Sequence, residues 1–300
     1  MAPLRSWMFV PGNKERYLQK ALDGPADAVL LDLEDGVIPD AKVRARQMVA
    51  EALSGRPPGG PEAYVRLNAM ETPWFVEDIA AVLVPGISGV CLPKVEDAGT
   101  VIEMAGILAK FEIDAGLELG TTRIVAAIES AAALQAAASI AEGHPRLVAI
   151  MFGAEDYALD LGLGTQREAE AAQLTYARSA IVVAAAAARV LSVDGVFPDL
   201  DDPEGLWADV LSARRLGFSS KSTFNPRQLD VINEIFRPRP DELAYARRVV
   251  DGFEAAEAAG DASVAVGGQL VDLPIVRRAQ RLLQEAGEWS PERGRAGDDN

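Results

Sequence analysis

Charged side chains follow several short apolar runs of this sequence, and their types could support metal-assisted chemistry. Glu34 and Asp35 follow AVLLDL, Glu129 follows RIVAAI, Asp156 follows LVAIMFGAE, and Arg66 lies inside AYVRLN. A buried carboxylate is costly unless a cation or hydrogen bonds compensate it. Carboxylate oxygens suit Mg²⁺, which takes one or two of these groups together with waters and substrate oxygens. The pattern therefore indicates a polar site that handles a cation or an anion.

Each of these residues also has a simpler structural interpretation. Glu129 could be an acid at a helix start, stabilised by the helix dipole, and Asp156 could be only a helix cap. Arg66 could form an ion pair in the core, although its planar fork also suits a substrate carboxylate or carbonyl. Lys94 on the fourth predicted strand and Lys221 on the eighth are expected at the same mouth, although they could equally pair with the acids as structure. Placed together on neighbouring strands, Glu129 and Asp156 would form a two-carboxylate magnesium site.

A basic segment provides a second candidate feature. In VPGNKERYLQKAL a glycine turn opens a predicted helix, and Lys14, Arg16 and Lys20 lie in or near it. A helix N-terminus with basic side chains is a general arrangement for binding phosphate. An ordinary solvated helix face is the alternative. In so acidic a chain, this cluster favours an anionic ligand beside the site.

The composition excludes several kinds of chemistry. The 300 residues carry 45 acids and 29 bases, a net charge of -16, which argues against nucleic-acid binding because that needs a basic surface. The only histidine, His144, falls in a predicted helix-to-strand turn, so histidine triads and histidine-rich zinc sites are excluded. The only cysteine, Cys91, excludes an internal disulfide and is interpreted as a packed strand residue. Catalysis must use carboxylates, Arg, Lys or a metal with oxygen ligands.

The chain also lacks the signals of membrane insertion and export. No apolar run approaches the roughly 20 residues that a membrane span needs. The N-terminus MAPLRSWMFVPGN lacks the long apolar core of a signal peptide. With a single cysteine, these features predict a cytoplasmic protein that binds a small molecule and has no membrane partner.

Short apolar runs alternate with longer amphipathic segments, and this alternation predicts the fold. Eight strands are expected, near 6–10, 28–34, 63–68, 89–95, 123–129, 147–153, 191–197 and 218–224. Apolar strands separated by helices imply a parallel sheet covered on both faces. Eight such units predict an α/β fold, a closed (β/α)8 TIM barrel whose active site forms at the carboxyl ends of the strands. An open doubly wound sheet is the alternative, although no G-x-G-x-x-G follows the first strand.

The organisation changes after the eighth strand. Residues 1–238 form the predicted barrel domain, and residues 239–288 form a helical extension that also contains the hairpin-like stretch DASVAVGGQLVD. Residues 289–300 are expected to be a disordered tail. No segment is rich enough in Pro, Gly or Ser to divide the barrel.

Taken together, the motifs resemble the citrate lyase beta-subunit-like family. The matching stretches are MFVPGN, ADAVLLDLEDGV, VRLN, GVCLPK, AAIES, MFGAEDYALDLG and GGQLVDLPIVRRA, in this order. They extend from about residue 5 to residue 285. The wider class contains magnesium-dependent acyl-CoA lyases and aldolases, including malyl-CoA and citramalyl-CoA lyases.

The resemblance implies roles for individual residues. Mg²⁺ would be held by Glu129 of AAIES and Asp156 of GAED, while Glu34 and Asp35 of DLED would steady waters bound to the metal. Arg66 would contact the reacting oxygens of the substrate.

The resemblance also implies a coenzyme A site and a partner subunit. Phe9 and Arg16, together with the first-strand loop that carries Lys14, would help to hold coenzyme A. The family is usually homotrimeric, and Asp272 of QLVDLP resembles an acid that a C-terminal lid carries into a neighbouring subunit's site, where it exchanges a proton with the acetyl carbon. From its position alone, Asp272 would be an ordinary helix N-cap.

One stretch departs from the family pattern. Relatives usually have I-H-P-x-Q after the eighth strand, whereas this chain has Phe224 and Asn225 in place of Ile and His. Lys221, Pro226 and Gln228 remain. Asparagine keeps hydrogen-bonding capacity but cannot carry a charge, so the departure bears on the substrate more than on the chemistry.

The resemblance predicts a lyase that cleaves or forms a 3-hydroxyacyl-CoA such as citramalyl-, malyl- or citryl-CoA. The products of cleavage would be acetyl-CoA and an oxo acid. Three alternatives stay open: a 2-keto acid aldolase that needs no coenzyme A, an acyl-CoA thioesterase, and a subunit that works only with an acyl-carrier partner.

Overall fold

The architecture comes from a computed structural model that describes residues 4–56, 59–164 and 172–290. Eight parallel strands pair in sequence order, and β8 pairs with β1, so the barrel is closed. The strands are β1 (Ser6–Pro11), β2 (Ala28–Asp32), β3 (Glu62–Arg66), β4 (Gly89–Leu92), β5 (Arg123–Ile128), β6 (Leu147–Phe152), β7 (Leu191–Asp194) and β8 (Ser220–Thr223). The predicted TIM barrel is confirmed, and the pairing of β8 with β1 excludes the open sheet.

Nine α-helices are described in the barrel unit. They are α1 (Glu15–Leu22), α2 (Lys42–Ser54), α3 (Phe75–Val82), α4 (Ala98–Asp114), α5 (Ala131–Glu142), α6 (Ala154–Asp160), α7 (Thr175–Ala188), α8 (Pro203–Leu216) and α9 (Leu229–Phe236). Short 3-10 turns cover Pro39–Ala41, Ala172–Leu174 and Pro226–Gln228. Several helices begin where a short polar side chain accepts a backbone N–H, as Ser130 does from Ala133 at 3.0 Å.

The strands are apolar on both faces because each face is buried. Outward side chains pack against the helices in one continuous core, while inward side chains fill the barrel itself. The filling includes Trp7 and Tyr64, whose ring centroids lie 4.8 Å apart, and the fully buried Cys91. The interpretation of Cys91 as a packed strand residue is therefore confirmed. Helix–strand alternation places all eight carboxyl ends at one mouth.

Several predicted strands extend too far at their carboxyl ends. Three of them end early, β2 at Asp32, β4 at Leu92 and β7 at Asp194. At β2 the reason is visible, because the Asp32 carboxylate accepts the backbone N–H groups of Glu34 and Gly36, at 2.9 Å each. The chain turns there instead of continuing the ladder, as short acidic side chains commonly cause it to do.

The residues from Arg237 onward form a second compact unit. It contains α10 (Pro240–Ala258), β9 (Val264–Val266), β10 (Gln269–Val271) and α11 (Leu273–Glu285), with its own apolar core. The two strands are antiparallel and are joined by Gly267 and Gly268, both with positive φ, as a tight hairpin requires. Trp289 packs against this core, and the rest of the predicted tail, residues 291–300, lies outside the described residues. Within the described ranges, no helix combines the length and apolar character that crossing a membrane requires.

Candidate active site

Polar side chains from the carboxyl ends of β2, β3 and β5 form a connected cluster at the barrel mouth. Arg66, the last residue of β3, donates from Nε and Nη2 to the two carboxylate oxygens of Asp32 at 2.7 and 2.8 Å. Its Nη1 lies 2.9 Å from Glu34 Oε2. The guanidinium also lies 4.9 Å from the centre of the Phe9 ring. Arg66 therefore forms the core ion pair that was one of its two interpretations. This ion pair lies at the barrel mouth, where the charged side chains were predicted to meet.

Arg66 keeps hydrogen-bonding capacity after these pairings. A guanidinium has five N–H donors, and three of them face Asp32 and Glu34, which leaves two. Burial alone lowers the pKa of Arg66, but hydrogen bonds and charge from Asp32, with Glu34, outweigh it, so the pKa is raised and the group stays charged. The carboxylates therefore hold a permanent cation in a fixed orientation.

A buried lysine supports the loop that carries these acids. The Lys42 ammonium donates to the carbonyl oxygens of Leu33 and Glu34, at 2.7 and 2.8 Å, and to Oδ1 of Asn68 at 2.6 Å. Asn68 in turn donates to Asp78 at 2.5 Å. The DLED loop is thus held by hydrogen bonds from a charged donor, which are stronger than hydrogen bonds between neutral groups.

Glu34 is buried but only partly compensated. One carboxylate oxygen pairs with Arg66, and the other, Oε1, lies 3.3 Å from the Lys94 Nζ atom and has no hydrogen-bond partner. Burial raises the pKa of Glu34, Arg66 lowers it, and Asp35 raises it again, with a net increase. A buried carboxylate oxygen without a hydrogen bond is the feature that a hydrated cation would satisfy.

Glu129 follows β5 and is 7% exposed. Its Oε2 accepts the backbone N–H of Lys94 at 2.8 Å. Burial raises the pKa of Glu129 to about 7, and the charges of Glu34 and Asp156 add to the increase, against lowering by the Lys94 N–H and Arg66. The side chain has space only because residue 153 is glycine. A Cβ there would lie 2.3 Å from Glu129 Cγ.

The remaining predicted acids are more accessible. Asp156 is half-buried in the first turn of α6 and is close enough to act electrostatically on Glu129 and Lys94. Asp35 is exposed and raises the pKa of both Glu34 and Lys94. All four predicted acids therefore act on one another or on a shared neighbour at the barrel mouth.

The donor set fits a hydrated Mg²⁺ ion. Across the described residues, no three Asp, Glu, His or Cys side chains are arranged as a closed metal site. Magnesium does not need one, because it keeps several waters and commonly takes one or two carboxylates. Glu129 and Asp156 would supply those two groups, and Oε1 of Glu34, which has no hydrogen-bond partner, would accept a hydrogen bond from a coordinated water.

The close approach at Gly153 leads to a specific prediction. In Gly153→Ala the new methyl group would displace the Glu129 carboxylate, so we expect Mg²⁺ affinity to fall at least about tenfold, the usual size of a disturbed metal environment. The φ of Gly153 is -88°, so alanine would not have to adopt a left-handed conformation, and the fold should persist by circular dichroism. Gly106→Ala is the matched control, because its Cβ would meet no atom within 4 Å. Equal Mg²⁺ affinity in both variants would contradict the prediction.

The raised pKa of Glu129 leads to a second prediction, for protein held in chelator. Its pKa is 4.5 when unfolded and about 7 when folded, so the folded state holds the proton more tightly. Tighter proton binding by Glu129 in the folded state stabilises the fold. This contribution to the free energy of unfolding is fully present below pH 4.5 and is lost as the pH rises through 7. Relative to Glu129→Gln, which is permanently neutral, the native protein should lose about 3 kcal/mol of unfolding free energy across this range. Urea titrations between pH 5 and 8 measure the difference, and a pH-independent gap would refute the assignment.

The residues expected to bind coenzyme A lie in two different environments. Lys14 and Arg16 are exposed at the start of α1, where they can meet a phosphate group. Phe9 is 8% exposed, and its ring contacts both Arg66 and the ring of Phe224, whose centroid lies 5.0 Å away. Phe9 therefore offers a coenzyme little surface, and its role in binding stays a prediction.

The departure from the family pattern has a clear structural result. Phe224 follows β8 and is 58% exposed beside Phe9. Asn225 accepts the N–H of Arg227 through Oδ1 at 3.1 Å and so caps the turn that follows. The asparagine therefore has a local structural role, while the phenylalanine adds an apolar wall to the mouth.

The expectation that Lys221 joins the same mouth is wrong. Its ammonium lies 2.7 Å from Asp194 and 2.6 Å from Asp209, and Arg178 pairs with the same two acids. Arg178 belongs to α7 and Asp209 to α8, so this network lies between the strands and the helices. Side chains alternate across a strand, and Lys221 occupies the outward position. The pairing of Lys221 with acids as structure is confirmed.

Asp272 lies in the second unit, where it is the N-cap of α11. Its carboxylate accepts the backbone N–H of Ile275 at 3.3 Å, and the residue is exposed. Asp272 is therefore the helix N-cap that its position predicts. Its carboxylate is also accessible to solvent. Its catalytic role stays a prediction.

Comparisons with known proteins agree on one family. Residues 5–226 match the family model described as HpcH/HpaI aldolase/citrate lyase. The chain is 38% identical over 282 residues to citrate lyase subunit beta of Leuconostoc mesenteroides subsp. cremoris, covering 94% of this chain and 93% of that protein. It is 32% identical to the L-malyl-CoA/beta-methylmalyl-CoA lyase of Rhodobacter capsulatus, over 94% of each chain.

A further relative and one solved structure extend the comparison. The (3S)-malyl-CoA thioesterase of Cereibacter sphaeroides strain KD131 is 34% identical over 94% of each chain. The solved structure is CitE of Mycobacterium tuberculosis in complex with magnesium, acetoacetate and coenzyme A. It superposes with a TM-score of 0.77 at 33% identity, covering 95% of this chain and 98% of that one.

Proposed function

This chain belongs to the HpcH/HpaI aldolase/citrate lyase family, and we propose that it is a magnesium-dependent carbon–carbon lyase acting on a 3-hydroxyacyl-CoA. Citramalyl-, malyl- and citryl-CoA are the proposed substrates, with acetyl-CoA and an oxo acid as products. The observation that carries the proposal is the meeting of Glu129, Glu34 and Arg66 at one barrel mouth. The CitE complex with magnesium, acetoacetate and coenzyme A supports the same ligand set.

Glu129 and Asp156 would hold the magnesium ion, which when bound lowers the pKa of a coordinated hydroxyl and stabilises negative charge. Glu34 and Asp35 would orient the waters around it. In cleavage the substrate hydroxyl would give its proton to water, its carbon would become the carbonyl of the oxo acid, and the bond between that carbon and the carbon next to the thioester would break. The electron pair passes to the thioester side, where a proton then completes acetyl-CoA.

Arg66 would stabilise the charge that develops in this step. Its two remaining N–H donors can face an oxygen of the substrate, while Asp32 and Glu34 keep the guanidinium in one orientation. Such preorganised donors usually supply a large share of catalysis. Lys14 and Arg16 would bind phosphates of coenzyme A, and Phe9 would help to hold it.

We propose Asp272 as the proton donor to the acetyl carbon, acting in the site of a neighbouring subunit of a homotrimer. Its exposed carboxylate on the second unit supports this role. Asp272→Asn, which keeps a side-chain oxygen for the cap, should leave trimer mass unchanged in sedimentation and slow turnover. An inactive enzyme with altered mass would instead indicate a structural role.

The test offers citramalyl-CoA, malyl-CoA and citryl-CoA to the purified protein with Mg²⁺ and separates the products by chromatography. Acetyl-CoA that forms with one substrate and disappears with a chelator would establish the lyase and identify the oxo acid. Free coenzyme A in its place would establish the second candidate, a thioesterase, which the Cereibacter sphaeroides relative favours.

Two further outcomes separate the remaining alternatives. Turnover of a free 2-keto acid aldol without coenzyme A affinity would indicate an aldolase, in agreement with the family description. Activity only after an acyl-carrier protein is added would indicate a partner-dependent subunit, as the name citrate lyase subunit beta suggests for that relative.

A further inference from the structure

Lys94 has an unusual backbone conformation at the centre of the carboxylate cluster. Its φ is +53°, and in the described ranges only Arg189 shares a positive φ among residues other than glycine. Arg189 follows the end of α7, where a left-handed residue is common. Lys94 lies in the loop after β4 and has no such explanation. A left-handed lysine persists only where its surroundings hold it there.

Two separate groups of Lys94 are held by two different acids. The backbone N–H donates to Glu129 Oε2 at 2.8 Å, and the Nζ atom lies 3.3 Å from Glu34 Oε1. Glu34 follows β2 and Glu129 follows β5, and β3 and β4 lie between these two strands in the barrel. Lys94 therefore links acids that come from strands that are not neighbours. The left-handed turn is what allows both contacts at once.

The ammonium group of Lys94 faces an excess of negative charge. Glu34, Asp35 and Asp156 all act on it electrostatically, and Glu129 accepts its backbone N–H. Two other cations are already engaged: Arg66 holds Asp32 and the second oxygen of Glu34, and the Lys42 ammonium donates to two backbone carbonyls and Asn68. Lys94 is therefore the cation that balances the remaining carboxylate charge before any metal binds.

We propose that the Lys94 ammonium supplies positive charge to this carboxylate cluster and thereby weakens the binding of a divalent ion there. The inference rests on the proposed function in that it takes this cluster as the magnesium site. A Mg²⁺ ion on Glu129 and Asp156 would bring two positive charges close to the ammonium that pairs with Glu34, so the two cations would repel each other. The lysine side chain is 52% exposed and can turn toward solvent without unfolding the loop.

The test compares Mg²⁺ affinity by calorimetry at constant ionic strength in the native protein, Lys94→Asn and Lys94→Arg. Asparagine tolerates the left-handed region and keeps the backbone N–H, but it removes the charge. Even at the dielectric constant of water, a unit charge about 6 Å from a divalent ion changes binding about tenfold. We therefore expect Lys94→Asn to bind Mg²⁺ about tenfold more tightly, and Lys94→Arg to resemble the native protein.

A second measurement does not depend on titration heats. Without metal, loss of the ammonium leaves the carboxylates repelling one another, so Lys94→Asn should melt at a lower temperature than the native protein. Saturating Mg²⁺ should then raise its melting temperature by more than it raises that of the native protein. If Lys94→Asn fails to fold, Lys94→Gly carries the same test, because glycine adopts the positive φ freely.

The outcomes distinguish this inference from the proposed function. Unchanged or weaker Mg²⁺ binding in the uncharged variants would overturn the role of Lys94 and leave the lyase proposal intact. Absence of Mg²⁺ binding in the native protein would overturn the metal site itself, and the inference with it.

Discussion

Glu129→Gln should reduce turnover of the acyl-CoA substrate at least about a thousandfold, because a metal supplies several kcal/mol of charge stabilisation. Glutamine has the same shape, so it fits beside Gly153 and keeps the contact with the backbone of Lys94. It lacks the negative charge that a magnesium ligand provides. We expect Mg²⁺ affinity and activity to fall together, while the circular dichroism spectrum stays native.

The control for this substitution is Glu103→Gln, an exposed position on α4. It removes the same charge from the chain without touching the mouth, so its kinetics should match those of the native protein. Full activity of Glu129→Gln at saturating Mg²⁺ would remove Glu129 from the set of ligands. Because the variant is neutral, it should also be the more stable protein above pH 7 in chelator.

Arg66→Met should destabilise the barrel by about 3–5 kcal/mol and abolish activity. Removing one partner of a buried ion pair leaves an uncompensated charge, which is the costly case. Here Asp32, at 3% exposure, loses its arginine, and Glu34, at 5%, keeps only the 3.3 Å contact with Lys94. Methionine fills a similar volume, so the loss would come from charge and hydrogen bonds more than from packing. Urea unfolding followed by circular dichroism measures it.

Two companion variants define the cause of that loss. Arg281→Met breaks an ion pair with Glu285 whose arginine is 82% exposed, and surface pairs of this kind contribute at most about 0.5 kcal/mol. Combining Asp32→Asn with Arg66→Met removes the Asp32 charge that the single variant leaves without its arginine, and should recover part of the stability without restoring activity. A double variant no more stable than Arg66→Met would contradict the assignment.

The sequence was sufficient to predict the barrel and the location of the charged mouth. Most of the strands were visible as apolar runs, because a parallel strand covered on both faces is expected to be apolar throughout; β8, which reads SKST, is the exception. Acids that directly follow such runs, such as Glu34 and Glu129, could be assigned to the carboxyl ends of the strands from the sequence alone. The order of strands in a TIM barrel then brings those ends together.

Contacts between distant residues could not be predicted from the sequence. Lys42 supports the DLED loop from α2 and contacts Asn68, 26 residues later, and neither residue has a local pattern that indicates the pair. Asp32 interrupts the apolar run of the second strand, but its fork with Arg66 depends on the register between β2 and β3. Lys221 was misplaced because β8 reads SKST, which has no apolar alternation to show which side chains point inward.

The barrel interior gives this protein a built-in reporter of its own opening. Cys91 is the only thiol of the chain and is wholly enclosed by the inward-facing side chains. Burial raises the pKa of that thiol, so a disulfide reagent meets neither an accessible sulfur nor a thiolate while the barrel is closed. The labelling rate in native buffer therefore measures how often the barrel opens. Because the unit from Arg237 onward has no cysteine, opening confined to that unit leaves no thiol signal of its own.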